Sequence, residues 1–167
     1  MSKDKSFRVG DKVVYPHHGA AVIEGIQERE VEGDTRKYWV LRLSYGDLTL
    51  MVPLDGTDEV GLRNVVPKDE VEQVFQVLRS KKQAPASSNW SRRFKNHVEK
   101  LKSGDIYQVA EVVRNLSIRD AQKGLSAGEK RMLTKARQIL VSELTFAVGV
   151  KEERAEAMLD EVLGVTT

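Results

Sequence analysis

Apolar and polar residues follow one another with two different periods along this chain. Through the first 66 residues the apolar runs are short and β-prone, and turn residues break them every 8–12 positions. Lys12-Val13-Val14-Tyr15 is such a run, stopped by Pro16. His17-His18-Gly19 reads as a turn, and Ala20 to Ile26 resumes the extended pattern. Glu32-Gly33-Asp34 marks a hairpin tip, Lys37 to Leu43 a strongly β-prone strand, and Tyr45-Gly46-Asp47 another turn. Leu48 to Val52 gives a fourth strand before Pro53, and Gly61 to Val66 a fifth. Five short strands at this spacing predict a small sandwich or barrel, and at this size an SH3-like or Tudor-like barrel is the economical choice.

From Lys68 the period lengthens. Val71, Val74, Phe75 and Leu78 stand at i, i+3, i+4 and i+7, one stripe of a helix. The stretch Ser80 to Ser88 is small, polar and contains Pro85, and it reads as a linker with a domain boundary in or just before it. Beyond it the chain is helical. Asn89 caps a helix whose stripe is Trp90, Phe94, Val98 and Leu101; Ser103-Gly104 ends it, and Asp105 caps the next, which buries Ile106, Val109, Ala110, Val113 and Leu116 before Gly124. Ser126-Ala127-Gly128-Glu129 is a capping box, opening a helix that buries Leu133, Ala136, Ile139, Leu140 and Leu144 up to Gly149. A last short helix uses Ala155, Met158, Leu159 and Val162. The expected fold is α+β: a Tudor-like or SH3-like β-barrel over 1–66, a helix and polar linker over 67–88, and a compact helical bundle over 89–167.

Composition narrows the chemistry. The 167 residues contain no cysteine, which excludes disulfides, thiolate metal sites and cysteine nucleophiles. No apolar run approaches the roughly 18 residues of a membrane span. The opening MSKDKSFRVGDK has no apolar core of a secretory signal, so the expected compartment is the cytosol. Net charge is only +2, but it is unevenly spread. Residues 81–140 carry 14 basic against 5 acidic groups, while 1–80 stand at −3 and 141–167 at −4. A basic centre between acidic flanks suits a molecule whose middle meets a polyanion.

Catalytic motifs are wanting. His17 and His18 are adjacent, and neighbours on a strand point to opposite faces, so the pair could not readily share a metal; turn structure is the favoured reading. His97 lies among basic residues and reads as a surface residue. Gly124-Leu125-Ser126-Ala127-Gly128 matches G-x-S-x-G in letters, yet its context is helix–turn–helix, and a cap explains the serine with fewer assumptions. No cofactor is expected.

The densest feature is Arg79 to Lys102, with eight cations (Arg79, Lys81, Lys82, Arg92, Arg93, Lys95, Lys100 and Lys102) against one acid, Glu99. Arg92 and Lys95 share a helix face and can straddle a phosphate backbone; Arg93 lies on a neighbouring face. Trp90 sits at the first turn of this helix. Its ring either continues the core stripe to Phe94 or is offered to bases, by stacking or as a minor-groove wedge.

Four segments resemble the bacterial CarD family of transcription regulators, in order and at similar spacing. They are Val9-Gly10-Asp11-Lys12-Val13-Val14-Tyr15-Pro16-His17-His18-Gly19, Phe75-Gln76-Val77-Leu78-Arg79, Asn89-Trp90-Ser91-Arg92-Arg93, and Gly124 to Leu133 (GLSAGEKRML). The likeness covers about residues 7–163 and is closest to the actinobacterial type. It implies a Tudor-like domain that binds the RNA polymerase β subunit, related to the polymerase-interacting domain of transcription–repair coupling factors. It also implies a helical domain that contacts promoter double-stranded DNA at the upstream edge of the bubble. There a tryptophan wedges into the minor groove and hinders bubble collapse.

Carried onto this sequence, the wedge is Trp90, and the backbone contacts are Arg92, Lys95 and Lys130; Arg93 is added from charge alone. On the polymerase side the matching residue is Arg29. Related members carry arginine before the Val-Pro that ends the fourth strand, where this chain has Met51. That leaves the contact to Met51 as an apolar group, to Arg42 or to another side chain. The expectation is a non-catalytic regulator, nucleoid-associated and monomeric in its complex, that stabilises the open complex. The rival is a free-standing DNA-binding or architectural protein with no polymerase contact.

Overall fold

The structure, a computed structural model, describes residues 7–45, 48–80 and 89–164. Residues 81–88 of the expected linker and the turn residues Gly46-Asp47 lie outside the described residues.

Five strands form one antiparallel sheet: β1 (Lys12–Tyr15), β2 (Gly19–Val31), β3 (Asp34–Leu43), β4 (Thr49–Pro53) and β5 (Arg63–Asn64). Their order is β4-β3-β2-β1-β5, a meander whose last strand returns to the first, as in a Tudor-like barrel. The β2–β3 hairpin turns at Glu32-Gly33, with φ of +52° and +86°. Two positive φ angles define the turn whose twist matches that of the flanking strands. The hairpin is longer than the sequence suggested, because Gln27 to Val31 pair with Asp34 to Tyr38 beyond the last strongly apolar position. The fifth strand shrinks to two residues.

A bulge at Glu24 resets the register between Ile23 and Gly25. Trp39, Leu41 and Leu43 of β3 face inward with Val13, Ile23, Val52 and Leu62. The buried Trp39 indole donates to Thr57 Oγ1 at 3.2 Å. Thr57 opens the short helix α1 (Thr57–Val60), which follows a 3-10 turn at Leu54–Gly56.

The helices are α2 (Val71–Arg79), α3 (Trp90–Lys102), α4 (Ile106–Gln122), α5 (Ala127–Val148) and α6 (Glu152–Leu163). The starts and stops of α3, α4 and α5 follow the caps read from the sequence. The Arg92 N–H donates to Asn89 Oδ1 at 3.1 Å and the Tyr107 N–H to Asp105 Oδ1 at 2.9 Å. Ser126 and Glu129 form the full capping box, and Gly149 closes α5 in the left-handed region. α2 sets Val71, Val74, Phe75 and Leu78 into the same core as Leu101, Val109, Val113, Leu116, Ile139, Leu140 and Leu144. That helix is thus a wall of the helical core, and the change from one core to the other falls at Val66.

The two cores abut directly. Val14 and Ala20 are buried on the face of β1–β2 turned away from the barrel interior, against α5. The Ala20 N–H donates to Ser142 Oγ at 2.9 Å. Glu143, 2% exposed, accepts from Arg63 Nη1 and Nη2 at 2.7 and 2.8 Å and from the Val66 N–H at 2.8 Å. Arg63 Nε also donates to the Gly104 carbonyl at 2.6 Å.

Candidate nucleic-acid and partner interfaces

The capping residues Asn89 and Ser126 bring the first turns of α3 and α5 to one end of the molecule. Trp90 lies there, 43% exposed. Its ring stacks on Phe94 with centroids 4.9 Å apart and planes at 18°. Its Nε1 lies 3.4 Å from Ser126 Oγ, and Gly128 faces the same pair of rings. The ring is thus divided: one face is packed as a continuation of the stripe, and the rest is open to solvent.

Arg92 and Lys95 of α3 and Lys130 of α5 are exposed within the first two turns of the same two helices. Trp90 and these three cations thus share the end of the molecule where α3 and α5 begin. Arg93 departs from expectation. It is 9% exposed and turned inward, with Nη2 3.7 Å from Glu129 Oε2. Arg119 Nε approaches the same oxygen at 3.7 Å. One helical step of 100° separates Arg93 from the exposed Arg92, and that step carries it into the α3–α5 contact. Glu129 thus serves the capping box with one oxygen and faces two guanidinium groups with the other. Nothing in the local sequence distinguishes Arg93 from Arg92; only the stripe set by Trp90 and Phe94, with Arg93 beside it, could have hinted at burial.

His97 is likewise half-buried where a surface residue was expected. Its pKa is lowered, chiefly by burial and then by Lys100. His17 occupies the expected turn with φ +72°, and Tyr15 stacks on His18 with centroids 4.9 Å apart. Burial and the nearby Lys135 lower both imidazole pKa values. Among the described residues no group of three or more His, Cys, Asp or Glu could hold a metal ion. No helix among them is long and apolar enough to cross a membrane.

The β domain presents a second surface. Inward-facing Trp39, Leu41 and Leu43 leave Arg36, Tyr38, Val40 and Arg42 on the outer face of β3. Register places Arg29 opposite Arg36 and Met51 opposite Val40, so both expected polymerase-side residues lie on this outer face. Arg42 is engaged by the bulged Glu24 in an ion pair. β4 is an edge of the sheet.

Comparison with known proteins accounts for this pairing of a sheet with a helical bundle. Residues 73–160 match the CarD C-terminal domain and residues 7–66 the CarD-like/TRCF RID domain. The chain belongs to the CarD family of transcription regulators. It is 34% identical over 154 residues to the putative transcription factor YdeB of Bacillus subtilis, covering 90% of this chain and 98% of that one.

Two solved structures are also similar. One is the solution NMR structure of the 72-residue N-terminal domain of Myxococcus xanthus CarD, 31% identical, with 35% of this chain and 77% of that chain covered and a TM-score of 0.30. The other is CdnLNt from the same organism, 35% identical, with 40% and 93% covered and a TM-score of 0.33. CarD-family proteins are regulators, not enzymes, and the G-x-S-x-G letters of this chain are accordingly the cap of α5.

Proposed function

We propose that this chain binds the RNA polymerase β subunit through its β domain and promoter DNA at the upstream edge of the bubble through the α3–α5 end, stabilising the open complex. The observation that carries the reading is the half-exposed Trp90, stacked on Phe94 at the start of α3, with Arg92, Lys95 and Lys130 exposed in the first two turns of α3 and α5. An aromatic ring already packed on one face pays little further ordering cost when a distorted base step receives its edge. The three cations bind phosphates without reading sequence.

Binding by such a small cationic surface is weak and sequence-tolerant by itself. Tethering to polymerase raises its effective concentration at one DNA position. The edge strand β4 and the outer face bearing Arg29 and Met51 suit the polymerase side, where a partner strand could extend the sheet. The wedge shifts the equilibrium toward open complex by as much as it binds that state better than the closed one.

The test is the lifetime of open complexes on one promoter, with the parent chain, with Trp90→Ala and without protein, alongside capture of the purified β subunit. The parent should lengthen the lifetime, and Trp90→Ala should bind β subunit yet lose the effect. DNA binding with no capture of β subunit would instead support a free-standing architectural protein.

A further inference from the structure

The β2–β3 hairpin carries an electrostatic oddity. Arg29 and Arg36 are cross-strand partners on the same outer face, both exposed. Cβ atoms of directly opposed residues lie about 4.5–5.5 Å apart, and like charges so placed destabilise the hairpin. No ion pair joins either guanidinium to an acid among the described residues. The neighbouring Glu28 and Glu30 point to the other face, since side chains alternate along a strand. Asp34, two residues along β3 from Arg36, shares their face but pairs with neither guanidinium, so the like-charged rung is only partly offset within the hairpin.

The rest of the outer face is different in kind. Tyr38, Val40, Met51 and Pro53 lie next to one another on β3 and β4. Val40 and Met51 sit four residues along β3 from the arginine rung, about 14 Å away. An apolar patch with a doubled positive charge at one end fits an extended segment that is apolar along its length and acidic at one end. Arg42, the other cation on this face, is already taken by Glu24.

We propose that Arg36 is a second anchoring residue for the polymerase, and that Arg29 and Arg36 together clasp a carboxylate-bearing segment of its β subunit. This rests on the proposed polymerase-binding role of the β domain. It also answers what stands in for a cation at Met51: the charge is supplied one strand inward, at the far end of the same face. Two guanidinium groups at this spacing can each donate two parallel hydrogen bonds to carboxylates, and binding removes the repulsion between them.

The test uses the full chain and purified RNA polymerase β subunit, with affinity measured over a salt series. Arg36→Ala should weaken binding severalfold and Arg36→Glu about tenfold or more, with a shallower salt dependence for both. Arg36→Ala should melt no lower than the parent, since it removes a like-charge neighbour, and duplex DNA binding should be unchanged. Loss of affinity on Arg29→Glu with parent-like binding by Arg36→Glu overturns the clasp but leaves the β domain as the polymerase site. Parent-like binding by both variants overturns the clasp and the reading of this face together.

Discussion

Trp90 is held by one stack and one long polar contact. Aromatic pairs of this kind contribute about 0.5–1.5 kcal/mol beyond their burial. Trp90→Ala should therefore lower stability by about 1 kcal/mol, a small shift in melting temperature. Phe94→Ala removes a ring wedged between Trp90 and the helical core and should cost about 3 kcal/mol. Thermal melts of the two variants decide the matter: equal losses would make Trp90 a core residue. The histidines give a second test. His17, His18 and His97 all have pKa values lowered below 6.5, mainly by burial. The unfolded chain then binds more protons than the folded one between the lowered values and 6.5. Their contribution to stability is complete above about pH 6.5 and is lost as pH falls through the lowered values. Denaturant midpoints should fall on acidification through this range, and His17→Asn should flatten the slope.

At the scale of the element, α3 shows how one helix divides its work. Its inner face carries Phe94, Val98 and Leu101 into the core, its flank buries Arg93 against Glu129, and its outer face offers Arg92 and Lys95. Two exposed phosphate contacts should each contribute about one unit to the magnitude of the salt slope of DNA binding. Arg92→Ala and Lys95→Ala should weaken binding similarly on unrelated sequences, and each should reduce that slope by about 1. Arg93→Ala should behave otherwise, losing stability because Glu129 is left facing a single guanidinium. A reduced affinity with an unchanged slope for Arg92→Ala would remove it from the phosphate contacts.

The whole molecule depends on how its two cores are joined. Arg63 of β5 and the buried Glu143 of α5 form a two-pronged ion pair, and Glu143 also receives the Val66 N–H where the chain enters the helical core. Removing one partner of a buried pair leaves the other uncompensated, at a cost of about 3–5 kcal/mol. Arg63→Met should reach the lower part of that range, because the Val66 N–H still faces the carboxylate. Because the pair couples the cores, the variant's urea unfolding should broaden or separate into two steps while the parent's stays single. A single, unshifted transition would show that the packing of Val14 and Ala20 on α5 suffices to hold the cores together.

Most of the local architecture was legible in the sequence, because it is decided by neighbours in the chain. The strands, the Glu32-Gly33 turn, the Asn89, Asp105 and Ser126 caps and the Gly149 stop follow from backbone preferences and from hydrogen bonds spanning two to four residues. The helical stripe of α2 was equally plain, but not that it belongs to the helical core. The proposed nucleic-acid residues Trp90, Arg92 and Lys95 were legible together because they fall within two turns of one helix. Other features required partners distant in sequence. Arg93 and Arg92 are the same residue type, side by side, and only the approach of α5 with Glu129 sends one inward. Val14 reads as one more strand residue until α5 covers its outer face. Arg29 and Arg36 become opponents only through the register of a hairpin extended beyond its apolar positions. Sequence pattern specifies which face of an element is apolar; which charged groups end up buried, paired or opposed depends on what that face meets, and only the tertiary structure decides it.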